Sequence, residues 1–239
     1  MSAIFPAPRQ RTAWPSLLGE GDEIILSILE HHSNIVPWHY WRERHGAVIK
    51  WAPVDEDGNF LLEEFEKLVT PRTKVISITM MSNALGTIVP VKEVCAIARR
   101  HGLKVVEDAA HALPTTSAGR RVGTLDSDAT VFSFYANKTI TTGEGGMLVT
   151  RSEALAKRAR TMRLHGMNRD AFDRFTAKVP SWYYEIVAPG FKYNLTDIAA
   201  ALGLHQLKKA RAFQQQREAL ATAYDAALAG LPVIAPPHA

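Results

Sequence analysis

A chain of 239 residues, 46% hydrophobic and 22% charged, is long enough to bury one large α/β core. Its 28 Lys and Arg against 24 Asp and Glu leave a net charge of +4, but the basic residues are interleaved with acids. That pattern argues against a nucleic-acid partner and for small anionic ligands. A single cysteine, Cys95, excludes an internal disulfide, and no run approaches the ~18 apolar residues of a membrane span. The N-terminus MSAIFPAPRQRTAW carries Pro and Arg where a signal peptide has its apolar core, so the expected location is the cytoplasm.

In chain order, residues 1–19 hold Pro6, Pro8 and Pro15 without a sustained period and read as an irregular leader. GDEIILS (21–27) is a strand, and EHHSNIVPWHYWRERHG a helix capped near Ser33 or Asn34, with Pro37 in its first turn and Gly46 as its stop. AVIKWAPV (47–54) is the next strand and LLEEFEKLV (61–69) an amphipathic helix. The strand KVISITMMS (74–82), the loop NALGTIVP and the helix VKEVCAIARRHG follow. This alternation predicts a mainly parallel sheet flanked by helices. A strand ending in acid, LKVVEDAAHA, leads to strands at 129–135 and 146–150 around a polar, Gly-rich loop. A helix over 152–166 is capped by Ser152, and a long one begins near Asn194 with Ile198, Leu202 and Leu207 on its inner stripe. The expected organisation is a leader (1–19), one large domain (20–234) and a tail (235–239).

The chemistry centres on VFSFYANKTITTGEGGMLVT. Lys138 follows a hydrophobic strand at the carboxyl edge, where open α/β sheets keep their ligands, and a lysine amine so placed can form a Schiff base. Thirty positions earlier Asp108 ends a strand, with His111 three residues on, and Ser133 lies five before the lysine. An Asp, a Ser and a Lys in that order are what pyridoxal 5′-phosphate needs: a carboxylate for the pyridine nitrogen, a hydroxyl for phosphate and an amine for the aldehyde.

The motifs VEDAAHA, FSFYANKTITTGEGG, RLHGM and GFKYNLTDIAAALGLHQL resemble the DegT-type sugar-nucleotide aminotransferases over residues 103–234. Residues 21–102, with EHHSNIVPW, GAVIKWAPVDEDGN and TPRTKVISITMMSNALGT, resemble the cysteine desulfurase and selenocysteine lyase family, which suggests a hybrid. Both resemblances imply the large domain of the aspartate aminotransferase superfamily, incomplete at both ends, and a pyridoxal-phosphate enzyme. They imply that Lys138 and Asp108 are catalytic, and that Ser133, His111, His31, Asn83 and Asn194 join them around the cofactor. His31 would stack on the ring, Asn83 would meet its phenolic oxygen, and Asn194 would reach the phosphate of a neighbouring subunit in a homodimer. The implied reaction is transamination of a keto sugar nucleotide, with glutamate as donor. The leader has no Gly/Ser/Thr-rich phosphate turn, so weak cofactor binding is expected. The alternatives are a desulfurase, for which Cys95 is the one available thiol, and an inactive fragment or scaffold.

Overall fold

The computed structural model describes residues 2–6, 18–82, 84–168 and 183–232. They fall into two compact units, residues 1–108 with 223–239, and residues 109–222.

In the first unit, strands β1 (Ser2–Pro6), β2 (Glu23–Ser27), β3 (Val48–Ala52), β4 (Thr73–Ile78) and β5 (Leu103–Asp108) lie in the order β3-β2-β4-β1-β5. The helices are α1 (Val36–His45), α2 (Leu62–Leu68) and α3 (Val91–Arg100). β2 runs parallel to β3 and β4, as a strand-helix-strand alternation requires. The sequence departs from expectation at its start. Ser2–Pro6 is not irregular but inserts antiparallel between β4 and β5, pairing Ser2 with Ile78 on one side and with Glu107 on the other. The backbone groups of β4 and β5 that face each other across that gap gain partners this way. The sheet is therefore mixed.

The central strands read as unbroken apolar runs because both faces are covered. Ile25, Ile76 and Val105 pack with Phe65, Val94 and Ile97 of α2 and α3. Their alternate neighbours Ile24, Leu26 and Val75 pack with Leu18 and Ala47, and Trp38 and Trp41 of α1 close over them. Cys95 sits half-buried against the first cluster, and burial pushes its thiol up, the condition of a packing residue rather than a nucleophile. Gly46 ends α1 in the left-handed conformation at φ 70°, with its N–H on the Arg42 carbonyl. The expected cap at Ser33 or Asn34 does not form. A separate 3₁₀ turn, His32–Asn34, precedes α1 and is capped by His31, and α1 starts without a side-chain cap.

In the second unit, β6 (Thr116–Ser117) and β7 (Arg120–Arg121) form a small hairpin, and β8 (Ala129–Ser133) pairs antiparallel with β9 (Gly146–Val149). Ser152 caps α4 (Glu153–Met162), its Oγ accepting from the Leu155 N–H. The long helix α5, Asp197–Leu228, is capped two residues later than expected: the Ala199 N–H donates to Thr196 Oγ1, not to Asn194. Its expected inner stripe is open as well, with Ile198, Leu202 and Leu207 79%, 54% and 55% exposed and Ala210 buried.

At the amino ends of β2 and β4, Glu23 is buried and its Oε2 is met by Lys50 Nζ at 2.8 Å, Thr70 Oγ1 at 2.6 Å and Thr73 Oγ1 at 3.1 Å. Burial alone would raise its pKa, but the hydrogen bonds from Lys50, Thr70 and Thr73 and the charge of Lys50 prevail and lower it. A lowered folded pKa contributes stability above the ordinary carboxyl range, and that contribution is lost as pH falls through the folded value. Glu23→Gln is expected to cost about 1–3 kcal/mol at neutral pH in urea unfolding, and the gap to the parent should close on acidification.

Candidate functional site

In the first unit the carboxyl ends of β2, β4 and β5 lead into the segments that carry His31, Ser82 and Asp108. The loop after β2 is held by a buried polar network. Glu30 Oε1 accepts from Ser27 Oγ at 2.5 Å and from the Thr79 N–H at 2.8 Å, and Oε2 accepts from Asn34 Nδ2 at 2.8 Å. Asn34 Oδ1 accepts in turn from Ser77 Oγ at 2.7 Å and from Trp38 Nε1 at 3.2 Å. Among the described residues no cation pairs with Glu30, so hydrogen bonds alone hold this buried carboxylate. Sequence reasoning missed Glu30 and took Asn34 for a cap. The available signal was a serine inside the apolar run EIILS, a buried hydroxyl that has to find a partner.

This network presents His31 at a cavity of about 220 Å³ shared with His32, Ser82 and Leu85. The Ser33 N–H donates to His31 Nδ1 at 3.2 Å, so the neutral ring keeps its hydrogen on Nε2. Its ring lies 4.1 Å from that of His32, tilted by 42°. Asp108 is the last residue of β5 and is exposed. Asn83 lies outside the described residues.

In the second unit the Ala109 N–H donates to the Val131 carbonyl at 2.8 Å, which sets the start of the AAHA segment beside β8. Two residues on, His111 reaches the loop that follows β8, and Lys138 Nζ donates to its Nε2 at 2.6 Å. Lys138 is half-buried, and among the described residues no carboxylate pairs with it. Ser133 ends β8; its Oγ accepts from the Tyr135 N–H at 3.3 Å, which leaves its O–H to donate.

Asn194 lines a different cavity, of about 750 Å³, with Thr142, Glu144, Lys192 and Tyr193. Its Oδ1 accepts from Lys192 Nζ at 2.5 Å, so its amide hydrogens remain available as donors. The segment that carries it is braced by a close backbone crossing. The His165 N–H donates to the Phe191 carbonyl, the Val187 N–H to Gly166, and the Tyr193 N–H to Arg163, at 2.8–2.9 Å. Gly166, at φ +76°, would set a Cβ 1.7 Å from the Ala188 carbonyl oxygen, and Gly190 would set one 2.2 Å from the Gly166 nitrogen. The structure thus brings Lys138 and His111 into contact, holds Asn194 on a braced segment, and places His31 in the loop beyond β2 and Asp108 at the end of β5 in the first unit.

In the first unit, a mixed sheet of strands joined by helices and covered by helices on both faces is an α/β architecture. The DegT/DnrJ/EryC1/StrS aminotransferase family matches residues 18–239, and the chain belongs to it. That match includes residues 21–102, so one family accounts for the stretch with desulfurase-like wording. The chain is 42% identical over 221 residues to the spore coat polysaccharide biosynthesis protein SpsC of Bacillus subtilis, covering 92% of this chain and 54% of that one. Among solved structures it is similar to the putative sugar aminotransferase Spr1654 of Streptococcus pneumoniae in its PLP form, with TM-score 0.68 and 27% identity, over 89% of this chain and 55% of that one. It is likewise similar to Helicobacter pylori PseC, an aminotransferase of pseudoaminic acid biosynthesis, with TM-score 0.67 and 32% identity, over 92% and 54%. The chain spans about half the length of the curated relatives it matches. Among the described residues no helix is long and apolar enough to cross a membrane.

Gly166→Ala combines left-handed backbone with a collision against a carbonyl oxygen, and neither can relax without moving the 186–193 segment. It is expected to cost more than about 3 kcal/mol in thermal or urea unfolding, against about 1–2 kcal/mol at Gly119, which shares the left-handed backbone at φ +74° but where a Cβ would meet nothing within 4 Å.

Proposed function

We propose that the chain is the large-domain portion of a pyridoxal-phosphate-dependent aminotransferase acting on a keto sugar nucleotide, with glutamate as donor. The observation that carries this reading is Lys138, whose amine rests on an imidazole nitrogen rather than on a carboxylate, inside a chain of the sugar aminotransferase family. An amine paired with a carboxylate would have to break an ion pair before it could react, and this one does not.

The donor set fits the cofactor. Lys138 is the amine for covalent attachment, and Asp108 the carboxylate for the pyridine nitrogen. Ser133 has an O–H to donate and Asn194 an amide, which suit phosphate oxygens. The His31 ring offers a flat face, and Asn83 is assigned to the phenolic oxygen from the motif MSNALGT. When bound, pyridoxal phosphate supplies an aldehyde for attachment and a ring that draws off electrons from the bond being broken. Lys138, once released from it, would be the chain's own group for holding and moving a proton, as general base and then acid. A desulfurase is disfavoured by Cys95, whose half-buried thiol is pushed up by burial.

The proposal includes a homodimer in the cytoplasm. Tyr183, Tyr184, Phe191 and Tyr193 are 55%, 41%, 53% and 75% exposed on the segment leading to Asn194, and Phe191 and Tyr193 stack with ring centres 5.2 Å apart. Such aromatic density suits an interface. Light scattering at micromolar concentration is expected to give the mass of two chains, and Tyr193→Asp with Phe191→Asp to shift it toward one.

Incubation with pyridoxal phosphate followed by borohydride should fix the label on the peptide holding Lys138. Lys138→Ala should abolish that label and all amine transfer from glutamate to a UDP-linked 4-keto sugar, with the far-UV spectrum unchanged. A label that persists in the variant would remove Lys138 from this role. Asp108→Asn should keep the label and lose activity by at least about a hundredfold, because a neutral amide cannot hold a proton on the ring nitrogen.

A further inference from the structure

Lys138 and His111 come from segments twenty-seven residues apart, yet the amine and the imidazole nitrogen are 2.6 Å from each other. This is a short hydrogen bond between two titratable nitrogens. Its geometry admits one proton on the line between them, with Nζ donating and Nε2 accepting. The neutral ring then carries its own hydrogen on Nδ1. Two features make the contact persistent rather than incidental. The Ala109 N–H on the Val131 carbonyl anchors the segment that carries His111. The Lys138 N–H on the Tyr135 carbonyl at 3.0 Å folds the lysine loop back on itself, so the side chain leaves from a fixed turn. Among the described residues the pair has no ion-pair partner.

We propose that His111 is the proton-accepting and positioning partner of Lys138, taking up the proton that Nζ must shed before its lone pair can attack a carbonyl carbon. The inference rests on the reading of Lys138 as the lysine that bonds the cofactor. Lys138 starts as an ammonium with Nε2 of His111 as acceptor. One proton passes from Nζ to Nε2, the freed lone pair forms the C–N bond, and the C=O π pair moves to oxygen. His111 returns its proton to that oxygen, a second proton from nitrogen follows, and the oxygen leaves as water. Ammonium plus aldehyde thus gives a protonated imine and one water, with His111 restored to its starting form. The ring therefore works as a relay and is not consumed. A glutamine at position 111 can still accept a hydrogen bond but cannot carry the proton, so the variant separates holding from relaying.

The relay has a pH signature. Acid that protonates the imidazole removes the acceptor and sets two positive charges against each other, so the lysine loses both its orientation and its outlet for the proton. The nearest other titratable groups along the two segments are Asp108, three residues before His111, and Tyr135, three before Lys138, with Glu144 further along the lysine loop. Asp108→Asn and Tyr135→Phe are accordingly run beside the histidine variant.

The test measures the reactivity of Lys138 without turnover. Parent protein, His111→Gln and the two controls are treated with formaldehyde and cyanoborohydride between about pH 5 and pH 9, and methylation of each lysine peptide is followed by mass spectrometry. Formaldehyde has no titrating group of its own. In the parent, labelling of Lys138 should stay level around neutrality, because the proton that Nζ sheds is kept by His111, and should fall toward acid about one log unit per pH unit only once the imidazole takes a further proton, whereas an isolated amine falls about one log unit per pH unit across the whole range. In His111→Gln the level region should vanish, leaving the steady fall of an isolated amine, and the rate near neutrality should drop about a hundredfold relative to the other lysines. Persistence of the level region in Asp108→Asn and Tyr135→Phe assigns it to the histidine, and its loss in either overturns the assignment. The same rate and pH profile in His111→Gln as in the parent overturns the inference while leaving the covalent role of Lys138 in place. Failure of pyridoxal phosphate and borohydride to label Lys138 in the parent overturns the covalent role itself. His111 is exposed, so the variant should retain the parent far-UV spectrum.

Discussion

A carboxylate buried without a cation must be satisfied by hydrogen bonds, and in the first unit that requirement at Glu30 determines how the carboxyl ends of β2 and β4 are joined. Its oxygens take donors from the end of β2, from the chain just beyond β4 and from Asn34. Any relative slip of the two strands would leave at least one of those groups unpaired, at a cost of about 1–3 kcal/mol. The opposite ends are tied by a different device, the Glu23–Lys50 pair with two threonine hydroxyls. The apolar faces hold the strands together, while the polar ends set their register and the exit of the loop bearing His31. In that division, hydrophobic burial supplies most of the energy and satisfied polar groups supply the alignment.

The second unit solves its alignment with glycine. Gly166 and Gly190 let two backbone segments cross closer than any side chain allows, and the hydrogen bonds across that crossing carry the chain to Lys192, Tyr193 and Asn194. Asn194 is therefore held by backbone, with Lys192 occupying its carbonyl oxygen. On the other side of β8, the lysine loop is pinned by its own turn and by His111. The side chains proposed for the site are thus mounted on short, hydrogen-bonded segments beyond strand ends, the arrangement by which one α/β scaffold serves many chemistries.

The apolar surface left open by α5 and by the 183–193 segment belongs to the same logic. Ile198 and Leu202 stand four residues apart, at helical spacing, which in an isolated sequence means a buried stripe. Here the stripe is exposed, so a helical period reports that a face is meant to be covered and does not say by what. The proposed pairing of two chains would give that surface and the neighbouring tyrosines a partner.

Much was legible in the sequence because local physics decides it. Alternating apolar runs and glycine stops located β2 to β5 and α1 to α3, since strand and helix periods follow from backbone geometry alone. The acid, hydroxyl and lysine at strand ends pointed to the cofactor chemistry for the same reason: each residue type has one set of things it can do. Tertiary structure decided the rest. Asn194 and Thr196 both have cap chemistry, and the site of helix initiation depended on which of them was already engaged, Asn194 by Lys192. Whether Ser2–Pro6 would pair depended on an open slot between β4 and β5, some seventy and a hundred residues away. The contact of His111 with Lys138 required β8 and the segment after β5 to be brought together. Sequence specifies what each group can bond, and only the folded chain specifies which partner arrives.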